Sequence, residues 1–135
     1  MDENRILFVD LDGTLIREDL SGLAFLHCLK KNPLKLFFYL VTFLIKGKPY
    51  LKEKISKNFT VPISKLTFNR SALNYIREVK NRHRVVYLIS GSHQILVDQI
   101  DRNLKIFFES FGTTNSFNMV GYNKVKFINE KLNII

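Results

Sequence analysis

Two aspartates one residue apart, Asp10 and Asp12, follow a run of apolar residues in the sequence ILFVDLDGTL (6–15). Such a run predicts a buried strand, and because side chains alternate along a strand, both carboxylates should leave it on the same side. A carboxylate at a strand end can attack phosphorus and form an aspartyl-phosphate. We therefore assign Asp10 as the candidate nucleophile and Asp12 as the candidate general acid and base.

A second apolar run, VVYLI (85–89), also ends in small polar residues, which are Ser90, Gly91 and Ser92. The Ser90 hydroxyl, together with backbone N–H groups near Gly91, could hold phosphate oxygens. Taken alone, these residues more often form a strand-to-helix turn in which Ser92 caps the helix. The phosphate-binding interpretation therefore depends on the pairing of this strand with the first one.

Lys124 and a metal ion complete the candidate site. Lys124 could neutralise charge that develops on the phosphate. Mg²⁺ is the expected cofactor, with Asp10 and Asp12 as its protein ligands: the ion would bridge the Asp10 carboxylate and a phosphate oxygen. The Asp12 backbone carbonyl and water would fill the rest of its shell.

The order of predicted elements favours an α/β fold with a Rossmann-like parallel sheet, in which ligands bind beyond the carboxyl ends of the strands. We expect a core formed by 1–18 and 70–135, with a helical cap inserted at 19–69. The predicted strands are 6–9, 85–89 and 105–109. The first predicted helix ends near 30–32. Further helices are predicted at 34–46, 50–57, 71–80 and 93–103, and a last one begins at its cap Asn123. Asp19 or Ser21 is predicted to cap the first helix, Asn32 the helix at 34–46 and Asn69 the helix at 71–80.

Composition sets limits on compartment and partners. The chain has 135 residues, a formal charge of +9 and one cysteine, Cys28. A high positive charge attracts anions, and a single cysteine fits a reducing compartment, so we expect a cytoplasmic protein without a signal peptide. The apolar segment 34–45 is too short to span a membrane and predicts a buried or interfacial helix. We do not expect a nucleic-acid partner, because no recognition motif accompanies the charge.

These residues resemble motifs of the haloacid dehalogenase (HAD) superfamily of phosphohydrolases. The segments FVDLDGTL (8–15), LISGS (88–92) and GYNK (121–124) match its first three motifs. The resemblance implies a nucleophile at Asp10, an acid and base at Asp12, phosphate binding at Ser90 and charge neutralisation at Lys124, with Mg²⁺ as cofactor.

A closer resemblance is to the HAD domains fused to UbiA-type polyprenyl transferases. It rests on Asn32-Pro33, on Gly47 with 50–52, and on Asn118, Gly121 and Lys124. It implies that 19–69 closes over the site as a cap. The cap is apolar and basic, so we expect it to contact an anionic membrane surface or a lipid-linked phosphate. The alternative to such a contact is a cap helix that packs on the protein and whose lysines are solvated.

One HAD feature is missing from the sequence. HAD enzymes carry a fourth motif, an acidic pair after a further strand, but Glu130 is the only acid after Lys124. The chain is either a C-terminally incomplete piece or a short form with a weakened metal site. Two functions follow as expectations: a Mg²⁺-dependent phosphatase acting on a small or lipid-linked phosphomonoester, or a non-catalytic domain that binds phosphate or an anionic membrane surface.

Overall fold

A parallel three-stranded sheet lies at the centre of the computed structural model, which describes residues 6–134. All three strands run in the same direction, so their carboxyl ends meet at one edge of the sheet. The predicted α/β fold with a parallel sheet is confirmed. The strands, in their spatial order, are β1 (Leu7–Asp10), β2 (Val86–His93) and β3 (Glu109–Thr113).

Helices fill the connections between the strands. Three of them follow β1 in the chain: α1 (Leu20–Lys31), α2 (Pro33–Lys46) and α3 (Lys48–Lys57). After a short 3₁₀ turn (Ile63–Lys65), the chain forms α4 (Arg70–Asn81), α5 (Gln94–Leu104) and α6 (Tyr122–Ile134). We call α1 to α3 the helical insertion, because they separate β1 from the rest of the alternating pattern.

Side-chain caps fix where several helices begin. The side chains of Asp19, Asn32 and Asn69 each accept a hydrogen bond from a backbone N–H in the first turn of α1, α2 and α4, at 3.1, 3.4 and 3.1 Å respectively. Such bonds satisfy donors that have no partner within the helix. The predicted capping roles of these three residues are confirmed.

The loop after β1 is held by burial of its apolar residues. Leu11, Leu15 and Ile16 are fully buried in the core, and the Leu11 carbonyl accepts hydrogen bonds from the N–H groups of Thr14, Leu15 and Ile16. Burial of these aliphatic side chains stabilises the folded loop, since each contributes roughly 1.5–3 kcal/mol to stability when it is removed from water. The polar residues of the same loop are thereby fixed at the sheet edge.

The third strand was predicted in the wrong place. The apolar run at 105–109 suggested a strand, but Lys105 takes a left-handed conformation that ends α5, and Ile106 packs into the core. Pairing with β2 begins only where the Phe108 N–H donates to the Val86 carbonyl at 2.8 Å. The strand therefore lies at Glu109–Thr113, four residues later than expected.

The second strand also runs further than predicted. β2 continues through Ser90, Gly91 and Ser92 to His93, and α5 starts at Gln94. The cap of α5 is His93, whose Nδ1 accepts a hydrogen bond from the Ile95 N–H at 3.2 Å. The predicted capping role of Ser92 is wrong, because its side chain is engaged elsewhere.

The apolar segment of α2 is not buried. Leu36 is its one buried residue, while Leu44 and Ile45 are 81% and 82% exposed. The alternative of a buried helix is therefore wrong. None of the helices among residues 6–134 combines the length and the apolar character needed to cross a membrane.

Gly112 in β3 is required by a close backbone approach. A Cβ atom there would lie 2.7 Å from the Ser92 carbonyl oxygen and 2.9 Å from the Gln94 Cα. We expect Gly112→Ala to destabilise the fold by about 1–3 kcal/mol, because backbone on both sides must shift. Urea denaturation measures this. In the control Gly22→Ala, the added Cβ meets only the flexible Asp19 side chain. Equal stability of both variants would contradict the account.

Candidate active site

Four of the five predicted site residues, Asp10, Asp12, Gly91 and Lys124, line one open cleft of about 360 Å³ at the carboxyl edge of the sheet, whereas Ser90 lies buried beside it. Three carboxylates and two ammonium groups line it, so its formal charge before any ligand enters is −1. The lining includes Asp10, Asp12, Asp19, Lys52, Ser92 and Lys124.

Asp10 and Lys124 form an ion pair in this cleft. The Lys124 Nζ lies 2.9 Å from the Asp10 Oδ1, which also accepts the Leu11 N–H at 3.0 Å. Among the interactions of the described residues, the Asp10 Oδ2 has no hydrogen-bond partner. The side chain of Asp10 remains 44% exposed, so a molecule in the cleft can reach it.

Asp12 is held by three donors from two parts of the chain. Its Oδ1 accepts the N–H of Leu20 at 3.0 Å, and its Oδ2 accepts the hydroxyls of Ser90 at 2.7 Å and Ser92 at 3.0 Å. Leu20 is the first residue of α1, whereas both serines lie at the end of β2. Asp12 therefore fastens the start of the helical insertion to the sheet, with its carboxylate at a fixed orientation in the cleft.

The two serines differ in access. Ser90 is fully buried, and its Oγ accepts the Ser92 N–H at 3.0 Å as well as donating to Asp12. Ser92 lines the cleft, and its Oγ also lies 3.1 Å from the Ser21 Oγ. Phosphate binding by Ser90 stays a prediction, and Ser92 is a hydroxyl at the cleft wall that the sequence-based assignment treated only as a helix cap.

Gly91 brings the loop before α6 close to β2. A Cβ at this position would lie 3.0 Å from the Val120 Cγ2, and the Gly91 carbonyl accepts the Thr113 hydroxyl at 2.8 Å. A larger residue would require Val120 to give way by a few tenths of an ångström, because the gap is tighter than ordinary van der Waals contact. Gly91 therefore allows β2 to lie close to the loop that ends at Gly121, just before the helix that contains Lys124.

Lys52 is a cleft residue that sequence reasoning did not single out. It extends from α3, and its Nζ donates to the Gly91 carbonyl at 2.8 Å and to the Asn118 Oδ1 at 3.2 Å. Burial lowers its pKa, with Lys48 as a further cause, while Asp19 and Asp12 oppose the shift. The sequence offered one signal, since both Lys52 and Asn118 belong to the residues on which the expected resemblance to UbiA-fused HAD domains rests.

The oxygen ligands in the cleft are enough for Mg²⁺ only when a bound substrate supplies further oxygen ligands. Among residues 6–134, no group of three or more His, Cys, Asp or Glu side chains could hold a metal. Mg²⁺ commonly binds through one or two carboxylates and keeps water or phosphate as its other ligands. The Asp10 carboxylate and the Asp12 carbonyl supply hard oxygen donors of this kind. A divalent cation would also offset the negative charge that a phosphate adds to an already negative cleft.

A search of protein-family models finds no match to the chain. One curated protein is similar, the uncharacterized protein y4nM of Sinorhizobium fredii, with 29% identity over 124 residues. The alignment covers 92% of this chain and 24% of that protein. The chain therefore spans about a quarter of the length of the curated relative it matches.

Solved structures identify the fold. A HAD family hydrolase, t0658 from Salmonella enterica serovar Typhi, superposes with a TM-score of 0.55 and 16% identity over 95% of this chain and 52% of that one. A substrate-bound phosphoserine phosphatase gives a TM-score of 0.50 and 19% identity over 83% of this chain and 57% of that one. The chain shares its α/β fold with these two proteins. It spans little more than half of each of these HAD structures.

The lowered pKa of Lys52 predicts how anion binding depends on pH. Inorganic phosphate should bind more weakly once Lys52 loses its proton, at a pH below the ordinary lysine value of 10.5. Lys52→Arg keeps its charge in this range, so it should move the loss of affinity to higher pH. Titration calorimetry across the alkaline range measures this shift. The exposed Lys65→Arg serves as control, and identical profiles for Lys52→Arg and the unmodified chain would contradict the prediction.

Proposed function

We propose that this chain is a phosphatase-type HAD domain that hydrolyses a phosphomonoester through a phosphorylated Asp10. One observation carries the proposal: Lys124, from the far end of the chain, lies 2.9 Å from Asp10 at the carboxyl end of β1. The ammonium group engages one carboxylate oxygen and leaves the other available, in a cleft open to an anion. This is the arrangement that a nucleophilic carboxylate requires.

In the first step, the Asp10 Oδ2 attacks phosphorus and the bond from phosphorus to the ester oxygen breaks. Asp12, in its protonated form, gives its proton to the leaving oxygen, so an alcohol departs. Lys124 balances charge on the Asp10 carboxyl and the transferred group. Ser92, at the cleft wall, can turn its hydroxyl from Asp12 to a phosphate oxygen, which would relieve the Asp12 Oδ2 of one hydrogen bond when it carries the proton. Ser90 is fully buried and would continue to donate to Asp12.

In the second step, the Asp12 carboxylate accepts a proton from a water molecule, whose oxygen attacks the phosphorus of the aspartyl-phosphate. The bond between phosphorus and the Asp10 oxygen breaks, so inorganic phosphate forms and the Asp10 carboxylate is restored. The same group acts as acid and then as base, because its protonation state alternates between the two steps. The Leu20 N–H keeps it oriented throughout, because this donor bonds to the Oδ1 and not to the Oδ2 that carries the proton.

Mg²⁺ bound by Asp10 and the Asp12 carbonyl would supply electrostatic stabilisation of the negative charge on the phosphoryl group. The helical insertion would act as a cap that excludes water during the first step. Lys52 supports this role, because it joins α3 to β2 and to the loop before α6. We infer that the insertion corresponds to the cap of UbiA-fused HAD domains. The inference rests on Asn32, Gly47 and Lys52, which belong to the residues that carry that resemblance and lie in the insertion of this chain.

Phosphate release from an aryl phosphate with Mg²⁺ tests the proposal. We expect Asp10→Asn to lower kcat roughly a thousandfold or more, since loss of a nucleophile removes the covalent route. Asp98→Asn makes the same chemical change on an exposed carboxylate of α5 and should leave the rate unchanged. Equal rates in the unmodified chain and Asp10→Asn would contradict the proposal, and no phosphate release by either protein would instead assign a phosphate-binding domain without turnover.

Metal removal gives an independent prediction. Because the described residues supply few protein ligands, Mg²⁺ should bind weakly without phosphate and more tightly with it. We expect chelation by EDTA to abolish turnover and excess Mg²⁺ to restore it. Calorimetric titration of Mg²⁺ with and without inorganic phosphate measures the coupling, and an affinity unaffected by phosphate would argue against a shared site.

A further inference from the structure

Helix α2 turns an apolar face away from the protein. Its residues recur at spacings of three and four, which places them on one side of the helix. Their exposed fractions are high, for example 70% for Leu34 and 82% for Ile45. The opposite side, with the buried Leu36, packs on α1 and α3. We call the exposed side the α2 apolar face, which consists of Leu34, Phe37, Phe38, Val41, Leu44 and Ile45.

The helical insertion that carries this face is rich in basic side chains. Residues 20–58 contain eight lysines and one acidic residue, Glu53. Six of these lysines are exposed: Lys30, Lys31, Lys35, Lys46, Lys48 and Lys57. Three lysines also line a cleft of about 320 Å³ next to α2, and no carboxylate lines it; they are Lys31, Lys35 and Lys54. A helical unit with an exposed apolar face and many exposed lysines suits a partner that is both apolar and anionic.

Charge and length select the partner. A second copy of the chain would bring two clusters of lysines together, which is unfavourable. A helix of 14 residues is about 21 Å long at 1.5 Å per residue, shorter than the bilayer core of about 30 Å. A helix lying in the plane of a bilayer surface can bury such a face, while lysine stems extend so that their ammonium groups meet lipid phosphates.

We propose that the α2 apolar face docks on an anionic lipid bilayer, with α2 parallel to the surface and its lysines on the headgroups. The proposal is independent of turnover, because none of the residues of this face lies in the Asp10 cleft. It goes beyond phosphate hydrolysis by assigning the helical insertion a second surface. Docking of this kind depends on both apolar contact and charge.

A tryptophan reporter tests the docking directly, since the chain contains no tryptophan. Phe38→Trp places one on the face, and Tyr75→Trp places another on α4, where Tyr75 is 53% exposed. We expect a blue shift of Phe38→Trp emission with phosphatidylserine-containing vesicles and none with pure phosphatidylcholine. Tyr75→Trp should shift with neither. A blue shift with both vesicle types, or with neither, would overturn the proposal.

Co-sedimentation with the same anionic vesicles separates the two contributions. We expect Ile45→Glu to lower the bound fraction at least severalfold, and Lys30→Gln with Lys31→Gln to lower the affinity about tenfold. Tyr75→Glu, the matched control, should bind like the unmodified chain. All these side chains are exposed, and circular dichroism checks that the fold is kept. Unchanged binding by Ile45→Glu, or a dimer that this change abolishes, would contradict docking on lipid.

Discussion

The hydrogen bonds of the Asp12 carboxylate are the constraint on which the site depends. They connect the end of β1 to the end of β2 through Ser90 and Ser92, and to the first turn of α1 through the Leu20 N–H. A carboxylate with three donors is held in one orientation, because each bond lost would leave a buried or half-buried polar group without a partner. The same bonds determine where the helical insertion leaves the sheet, so the position of the insertion and the geometry of the cleft depend on each other.

A second connection between insertion and sheet runs through Lys52. Its ammonium group bridges the Gly91 carbonyl and the Asn118 side chain, and burial keeps its pKa low. The insertion therefore contacts the cleft through its first turn, at Leu20 and Ser21, and through Lys52. Its outer surface, by contrast, is apolar and basic and has no contact with the cleft. Such a division lets one helical unit face a phosphate on one side and a lipid surface on the other.

Much of the fold could be predicted from local signals, because apolar runs, caps and the Asp-x-Asp-Gly-Thr turn act over a few residues. The approach of Lys124 to Asp10 was expected from the motif pattern and is present in the structure. The third strand was misplaced because the apolar segment at 105–109 looks more like a strand than Glu109–Thr113 does. Only tertiary packing shows that Ile106 is needed in the core. Lys52 is one of several lysines in the insertion, and no local feature shows that it alone reaches Gly91.

The central claim is that Asp10 is phosphorylated during turnover. Acid quenching of the reaction with an aryl phosphate, followed by mass spectrometry of the digested chain, tests it most directly. The account predicts a phosphoryl group on the peptide that contains Asp10, present with Mg²⁺ and substrate and lost in Asp10→Asn. Turnover without any phosphorylated peptide, or with the phosphoryl group on another residue, would contradict it.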